Sequence, residues 1–81
     1  MAAQVVRLVG GPGNVADVTH CFLRLRLTLV DPAAADRDAL RALPAVVVLV
    51  DQDGQLQLAL RRDLYAVHDA VRGIVDRAVS P

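Results

Sequence analysis

The sequence predicts an α+β fold in which a four-stranded antiparallel sheet carries three helices on one face, in the order α-β-β-α-β-β-α. Two segments alternate apolar and polar residues, as half-buried antiparallel strands do. Three other segments place their apolar residues on one helical stripe. The 81 residues suit a single domain, so we expect residues 1–81 to pack all helices against one apolar sheet face.

The first predicted element is a short helix over residues 2–9. Val5, Leu8 and Val9 recur at helical spacing and form its apolar stripe. The run Gly10-Gly11-Pro12-Gly13 ends the helix, because glycine accepts a left-handed cap and proline cannot continue a helix. The same run is not a phosphate-binding loop, since no Gly-Lys-Ser/Thr motif follows it.

Residues 15–20 and 23–30 are predicted to form a β-hairpin, because the gap between them is short. We expect Cys21 at or next to the turn. In the first strand, Val18 and His20 share one face, and three residues share the other: Asp17, Thr19 and Cys21. In the second strand, four leucines point to the core: Leu23, Leu25, Leu27 and Leu29. Its polar side chains point to an open face: Arg24, Arg26 and Thr28.

The next predicted helix begins at Asp36, which is a good N-cap residue, and ends before Pro44. Its inner face consists of three apolar residues: Ala39, Leu40 and Leu43. Residues 45–50, AVVVLV, form a continuous apolar run of strand length, which favours a central strand.

A turn at residues 51–54 is predicted to lead into a strand over residues 55–60. This strand alternates again, with three leucines inward: Leu56, Leu58 and Leu60. Its other side chains point outward: Gln55, Gln57 and Ala59. The last helix is predicted over residues 63–77, with one apolar stripe: Leu64, Val67, Val71, Ile74 and Val75. Gly73 lies inside this helix and weakens it by about 1 kcal/mol relative to alanine.

The charge and the cysteine content restrict the class of protein. The net charge is zero, which argues against a general polyanion binder. Every basic residue is Arg and every acidic residue is Asp, so an arginine is informative only at a meaningful spacing. The single cysteine excludes an internal disulfide, so hydrophobic burial must stabilise the fold. The apolar runs are too short to cross a bilayer, and we expect a cytoplasmic protein.

The segment HCFLRLR holds the residues with chemical potential. If Cys21 ends one strand and Arg24 and Arg26 lie on the returning strand, the three side chains can meet at one hairpin end. Guanidinium groups would then favour the thiolate and bind a phosphate on the sulfur. The spacing alone also permits a buried, inert cysteine beside a solvated sheet face, because cysteine is among the most buried residue types.

The two histidines give no sign of a metal centre. His20, His68 and Cys21 lack the short spacings of metal ligands, so we expect structural or surface histidines and no metal or cofactor. Nucleic-acid binding by the open sheet face would need stacking aromatic residues, and Phe22 and Tyr65 are the only candidates. We therefore expect no nucleic-acid partner.

Several motifs occur in a characteristic order. They are Gly10-Gly11-x-x-Asn14-Val15, His20-Cys21-x-x-Arg24-Leu25-Arg26, Asp31, Asp36, Ala39-Leu40, Ala42-Leu43 and Gly54-Gln55-Leu56-Gln57. In this order and spacing the chain resembles the enzyme IIB domain of the bacterial sugar phosphotransferase system, in the glucose/sucrose superfamily. The resemblance covers about residues 5–76 and agrees with the element order that periodicity predicts.

The resemblance implies a phosphoryl carrier. Cys21 would take a phosphoryl group from a phosphohistidine on enzyme IIA and pass it to a sugar held by the membrane-embedded enzyme IIC. Arg24 and Arg26 match the family's two arginines near the cysteine, which assist onward transfer without a metal. The protein would work at the inner face of the membrane through enzyme IIC. Leu23 stands where the family has Thr, which leaves a degenerate IIB-like binding or regulatory module as the alternative.

Overall fold

The computed structural model of the protein describes residues 1–52 and 54–79. The elements are α1 (Ala2–Leu8), β1 (Val15–His20), β2 (Arg24–Leu29), α2 (Arg37–Ala42), β3 (Val46–Gln52), β4 (Gln55–Leu60) and α3 (Leu64–Val79). Two short 3-10 turns precede β1 and α2: Pro12–Asn14 and Pro32–Ala34. The predicted α+β class and element order are confirmed. Asp53 of the predicted turn, and Ser80 and Pro81 at the end of the predicted domain, lie outside the described residues.

The four strands form one antiparallel sheet in the order β1-β2-β4-β3. Helix α3 lies over β1 and β2 and packs against α1, while α2 packs against β3 and α1. All three helices therefore cover one face of the sheet. The opposite face carries the polar side chains of β2 and β4, as the alternation predicts.

The core lies between the central strands and the helices. Leu25 and Leu27 of β2 are fully buried, as are their partners in β4, Leu58 and Leu56. Residues from the three helices and the segment after α1 close over them: Val5, Val9, Leu40 and Val71. Burial of each such aliphatic side chain contributes about 1.5–3 kcal/mol, and these contacts are the main source of stability in a chain without a disulfide.

Strand β1 contains an irregularity that alternation does not predict. Val18 pairs with Leu27, and His20 pairs with Leu25, so the two residues share one face of β1 as predicted. The register shifts between Val15 and Asp17, which allows Val15 to be buried as well. A bulge of this kind inserts one residue into a strand and increases its local twist.

The predicted central position of the apolar run at residues 45–50 is wrong. This run forms β3, an edge strand, and Val47 and Val48 are 53% and 47% exposed. The two hairpins join through β2 and β4, which places β1 and β3 at the edges. An apolar run indicates a strand, but strand pairing decides which strands are central.

The prediction that Leu23 begins β2 and points to the core is also wrong. Its side chain is 68% exposed in the connection between β1 and β2. The backbone N–H of Cys21 donates to the carbonyl oxygen of Arg24 at 2.9 Å, so the antiparallel ladder closes there and the strand begins at Arg24.

Asn14 fixes the entry into β1. Its side-chain Nδ2 donates to the carbonyl oxygens of Val9 at 2.7 Å and Asp31 at 2.9 Å. Its Oδ1 accepts from the backbone N–H of Asp31 at 2.7 Å. A Cβ atom at Gly10 would lie 2.8 Å from Asn14 Nδ2, and Gly10 has a φ of +107°, so this position requires glycine. The Gly-Gly-x-x-Asn motif thus joins the end of α1 to the segment that follows β2.

Candidate functional site

Cys21 lies in the short connection that joins β1 to β2, at one end of the sheet. Its thiol is free, and the residue as a whole is half-buried. The next two residues form the tip of the connection, where Phe22 is 86% exposed and Leu23 is 68% exposed. The predicted hairpin end therefore exists, and it presents a free thiol beside two exposed apolar side chains.

The backbone around Cys21 favours the thiolate. A hydrogen bond from the backbone N–H of Leu23 lowers the pKa of the Cys21 thiol below its ordinary value, although burial of the sulfur opposes this. The backbone N–H of Arg24 lowers the pKa further, and so do the guanidinium charges of Arg26 and Arg24. Donors that stabilise a thiolate also suit an oxyanion bonded to the same sulfur.

Arg24 and Arg26 lie on the sheet face away from the helices. Arg26 stands between Thr19 of β1 and Gln57 of β4, and Arg24 stands opposite Ala59. Within residues 1–52 and 54–79, no carboxylate forms an ion pair with either arginine. In the same part of the chain, Nε of Arg26 is a buried donor without an acceptor. The two guanidinium groups therefore retain charge and donors for an anion near Cys21.

His20 contacts the backbone of Cys21 and two neighbouring rings. Its Nδ1 is 3.1 Å from the carbonyl oxygen of Cys21, and its ring packs edge-on against Tyr65 and His68. The ring centroids are 4.7 Å and 4.6 Å apart, respectively. His20 and His68 thus belong, with Tyr65, to an aromatic cluster on the helix side of the sheet. Among the described residues, no group of three or more His, Cys, Asp or Glu side chains could hold a metal ion.

An open cleft of about 460 Å³ adjoins the Cys21 connection. Its walls come from the connection and from the start of α3: Phe22, Leu23, Leu60, Arg62, Asp63, Leu64, Tyr65 and Ala66. Phe22, Leu23 and Tyr65 are all exposed. We call these three residues the apolar rim. An exposed apolar group beside a polar site is typical of a protein contact surface.

Gln57 is a residue of the candidate site that the sequence pattern does not indicate. The alternation of β4 predicts that Gln57 points to the open face, but this residue is only 2% exposed and its Oε1 accepts a hydrogen bond from Nη1 of Arg24 at 3.1 Å. The signal for this contact is the alternation in Gln55-Leu56-Gln57, because Gln57 pairs with Arg26 of β2 and Gln55 pairs with Thr28. Finding it requires the register between β2 and β4, which the sequence does not specify.

Known proteins are similar to this chain in sequence and in fold. A family model described as "phosphotransferase system, EIIB" matches residues 3–36. The N-acetylmuramic acid-specific EIIBC component of Vibrio cholerae is 52% identical over 60 residues, which are 74% of this chain and 12% of that protein. The beta-glucoside-specific EIIBCA component of Bacillus subtilis is 38% identical over 71 residues, which are 88% of this chain and 12% of that protein. The chain thus spans about an eighth of the length of these relatives.

A solved structure supports the fold. One domain of the PTS system IIabc component from Clostridium difficile superposes with a TM-score of 0.74, covering 96% of this chain and 78% of that one. The sequences are 22% identical, so this likeness concerns the fold alone. No helix within the described part of the chain is long and apolar enough to span a membrane.

Proposed function

Because this chain belongs to the EIIB family of the phosphotransferase system, whose domains are phosphotransferases, we propose that it carries a phosphoryl group on Cys21. The donor is a phosphohistidine of enzyme IIA, and the acceptor is a sugar bound by the membrane enzyme IIC. The observation that carries this proposal is the set of donors around Cys21, which lower the pKa of its thiol. The same donors suit the charged oxygens of a phosphoryl group.

In the first step, the thiolate of Cys21 attacks the phosphorus of the phosphohistidine. An S–P bond forms, the N–P bond breaks, and the imidazole nitrogen keeps the electron pair and takes up a proton. The backbone N–H groups of Leu23 and Arg24 and the guanidinium groups of Arg24 and Arg26 bind the phosphoryl oxygens. Phosphoryl transfer depends mainly on in-line placement and on charge stabilisation, which these groups supply without a metal.

In the second step, a sugar hydroxyl oxygen attacks the phosphorus of phosphocysteine. An O–P bond forms, the S–P bond breaks, and Cys21 leaves as a thiolate while the hydroxyl proton passes to solvent. The lowered pKa of Cys21 makes the thiolate a good leaving group. Arg24 and Arg26 stabilise the charge that develops during this onward transfer.

The partner proteins bind at the surface around the connection between β1 and β2. The relatives named above combine EIIB with EIIC, or with EIIC and EIIA, in one chain. In this proposal, the apolar rim of Phe22, Leu23 and Tyr65 packs against enzyme IIA and excludes water from Cys21 during transfer. Leu23, at the position of the family's Thr, adds apolar contact area, and its backbone N–H provides the hydrogen bond to the sulfur.

The test is to incubate the protein with phosphorylated enzyme IIA and to measure its intact mass. We expect one added phosphoryl group, located on Cys21 by peptide mapping. The Cys21→Ser variant should lose the modification, and Arg24→Lys or Arg26→Lys should accept phosphate but transfer it poorly to sugar in membranes containing enzyme IIC. Absence of thiol-bound phosphate on the folded wild type would overturn the proposal and favour a binding module without phosphotransfer.

A further inference from the structure

We propose that Gln57 is a positioning residue that fixes the guanidinium of Arg24 beside Cys21 without neutralising its charge. This inference rests on the proposed function of the site. Gln57 is a buried polar residue on the sheet face away from the helices. Gln57 of β4 lies opposite Arg26, and its side chain is only 2% exposed. Its Oε1 accepts from Nη1 of Arg24 at 3.1 Å.

The orientation of the Gln57 amide is itself fixed. Its Nε2 donates to Oε1 of Gln55 at 3.0 Å and to Oε1 of Gln52 at 3.3 Å. These two bonds use both hydrogens of the amide nitrogen, so the amide oxygen must face Arg24. The reversed amide would place N–H groups against the guanidinium and would lose three hydrogen bonds. The three glutamines of β3 and β4 therefore specify one orientation of the acceptor.

A neutral acceptor suits this position. A carboxylate at residue 57 would form a charge-assisted pair with Arg24 and would cancel much of its effect on Cys21. In the described part of the chain, the hydrogen-bond acceptor of the Arg24 side chain is the amide oxygen of Gln57, and no carboxylate pairs with this arginine. Gln57 thus limits the motion of the guanidinium while its full positive charge remains available. Charge stabilisation is most effective when the donors are fixed before the reaction.

The experiment compares two alkylating reagents on Cys21, so it does not require phosphoryl transfer. Iodoacetate is an anion and iodoacetamide is neutral, and the ratio of their rate constants reports the positive charge that is held near the sulfur. Gln57→Met keeps the length of the side chain and removes the amide. We expect this ratio to fall about threefold in Gln57→Met and about tenfold in Gln57→Glu, because the second variant adds a competing carboxylate.

Two controls separate positioning from general effects. Gln4→Glu makes the same charge change on the exposed surface of α1 and should leave the ratio unchanged. In an Arg24→Gln background, Gln57→Met should cause no further fall, because Gln57 acts through Arg24. An equal fall with and without Arg24, or no fall in Gln57→Met, would overturn the inference when the amide NMR spectrum shows a folded protein.

The restricted motion of the Arg24 guanidinium can also be measured in the wild type, so the test does not depend on the folding of Gln57→Met. Rotation of the Arg24 guanidinium about its Nε–Cζ bond, measured by NMR, should be slower than that of the exposed Arg7. Equal rotation rates would overturn the positioning role. Failure of the carrier function would appear separately, as missing phosphate in the enzyme IIA experiment, and would leave both the alkylation ratio and the rotation rates unaffected.

Discussion

At the scale of the residue, the thiol of Cys21 is surrounded by donors of two kinds. The backbone N–H groups of Leu23 and Arg24 are fixed by the connection between β1 and β2, whereas the guanidinium groups of Arg24 and Arg26 come from β2. The backbone N–H of Leu23 makes the largest contribution to the lowered pKa of the Cys21 thiol. The N–H of Arg24 and the two guanidinium charges lower this pKa further. The site thus retains its effect on the sulfur although Leu23 has no side-chain hydroxyl.

The first prediction concerns this charge contribution. Arg26→Gln should raise the pKa of the Cys21 thiol, because it removes a positive charge that favours the thiolate. The measurement is the rate of iodoacetamide alkylation against pH, whose midpoint should lie below that of an ordinary thiol in the wild type and should move upward in the variant. Arg41→Gln, on the exposed side of α2, is the control and should leave the midpoint unchanged.

The same shift has a consequence for stability. Folding lowers the pKa of Cys21, so the thiolate adds to the free energy of unfolding above the pKa of the unfolded thiol. This contribution disappears as the pH falls through the lower pKa of the folded state.

The alkylation experiment would contradict the role of Arg26 if the midpoint were the same in Arg26→Gln and in the wild type, because the arginine would then not act on the sulfur.

The second prediction concerns Asn14. Asn14→Asp keeps the shape of the side chain and the acceptor for Asp31 N–H, but it loses both donors and places a carboxylate against two carbonyl oxygens. We expect the free energy of unfolding at pH 7 to fall by about 3 kcal/mol, measured by urea denaturation. The loss should shrink toward pH 5, because protonation restores a donor. Equal stability of Asn14→Asp and wild type at pH 7 would contradict the role of this residue.

At the scale of the element, each segment begins or ends through local interactions that the sequence indicates. Asp36 caps α2 by accepting from the backbone N–H of Ala39 at 3.0 Å. The apolar stripe of α3 buries Val71 and Val75, as its periodicity predicts. The register of the strands is set less locally, since the bulge in β1 and the edge position of β3 both depend on pairing partners.

The third prediction concerns α3. Gly73 lies within this helix, and a Cβ atom there would lie 3.3 Å from Nη1 of Arg77, the end of a flexible side chain that can move. Gly73→Ala should therefore raise the free energy of unfolding by about 0.5–1 kcal/mol, through reduced entropy of the unfolded chain and better helix propensity. Urea denaturation measures the change. Ala70→Gly, on the exposed face of the same helix, should lower stability by a similar amount.

At the scale of the whole molecule, one layer of helices on one sheet face divides the chain into two sides. The helix side contains the apolar core and the aromatic cluster of His20, Tyr65 and His68. The other side contains Arg24 and Arg26 of β2 and Gln55 and Gln57 of β4. The connection that holds Cys21 lies at the end of the sheet where both sides meet, so a stable core and a charged site form in a small domain without competing for the same surface.

The fourth prediction tests how much the small core contributes. Leu25→Ala removes a fully buried side chain that pairs with Leu58 in β4 and His20 in β1. We expect a loss of about 2–5 kcal/mol in the free energy of unfolding, which is a large part of the total for a domain of this size. Urea denaturation followed by circular dichroism measures it. Val30→Ala, at a position that is 68% exposed, should change stability by less than about 0.5 kcal/mol.

The sequence by itself determined the element types, their order and the face of most side chains, because alternation and helical periodicity record which residues are buried. It also identified Cys21, Arg24 and Arg26 as the candidate site, through their spacing and the motifs around them. The motif Gly10-Gly11-x-x-Asn14 has a local cause as well, since a positive φ and a side-chain amide are properties of these residue types.

Only the tertiary structure decided the edge position of β3, the exposure of Leu23 and the burial of Gln57. Each depends on which strands pair and in which register, and that choice is made by contacts between residues far apart in the chain. The Arg24–Gln57 hydrogen bond joins residues 33 positions apart. Such a contact forms because β2 and β4 are neighbours in the sheet, which no local pattern of hydrophobic and polar residues specifies.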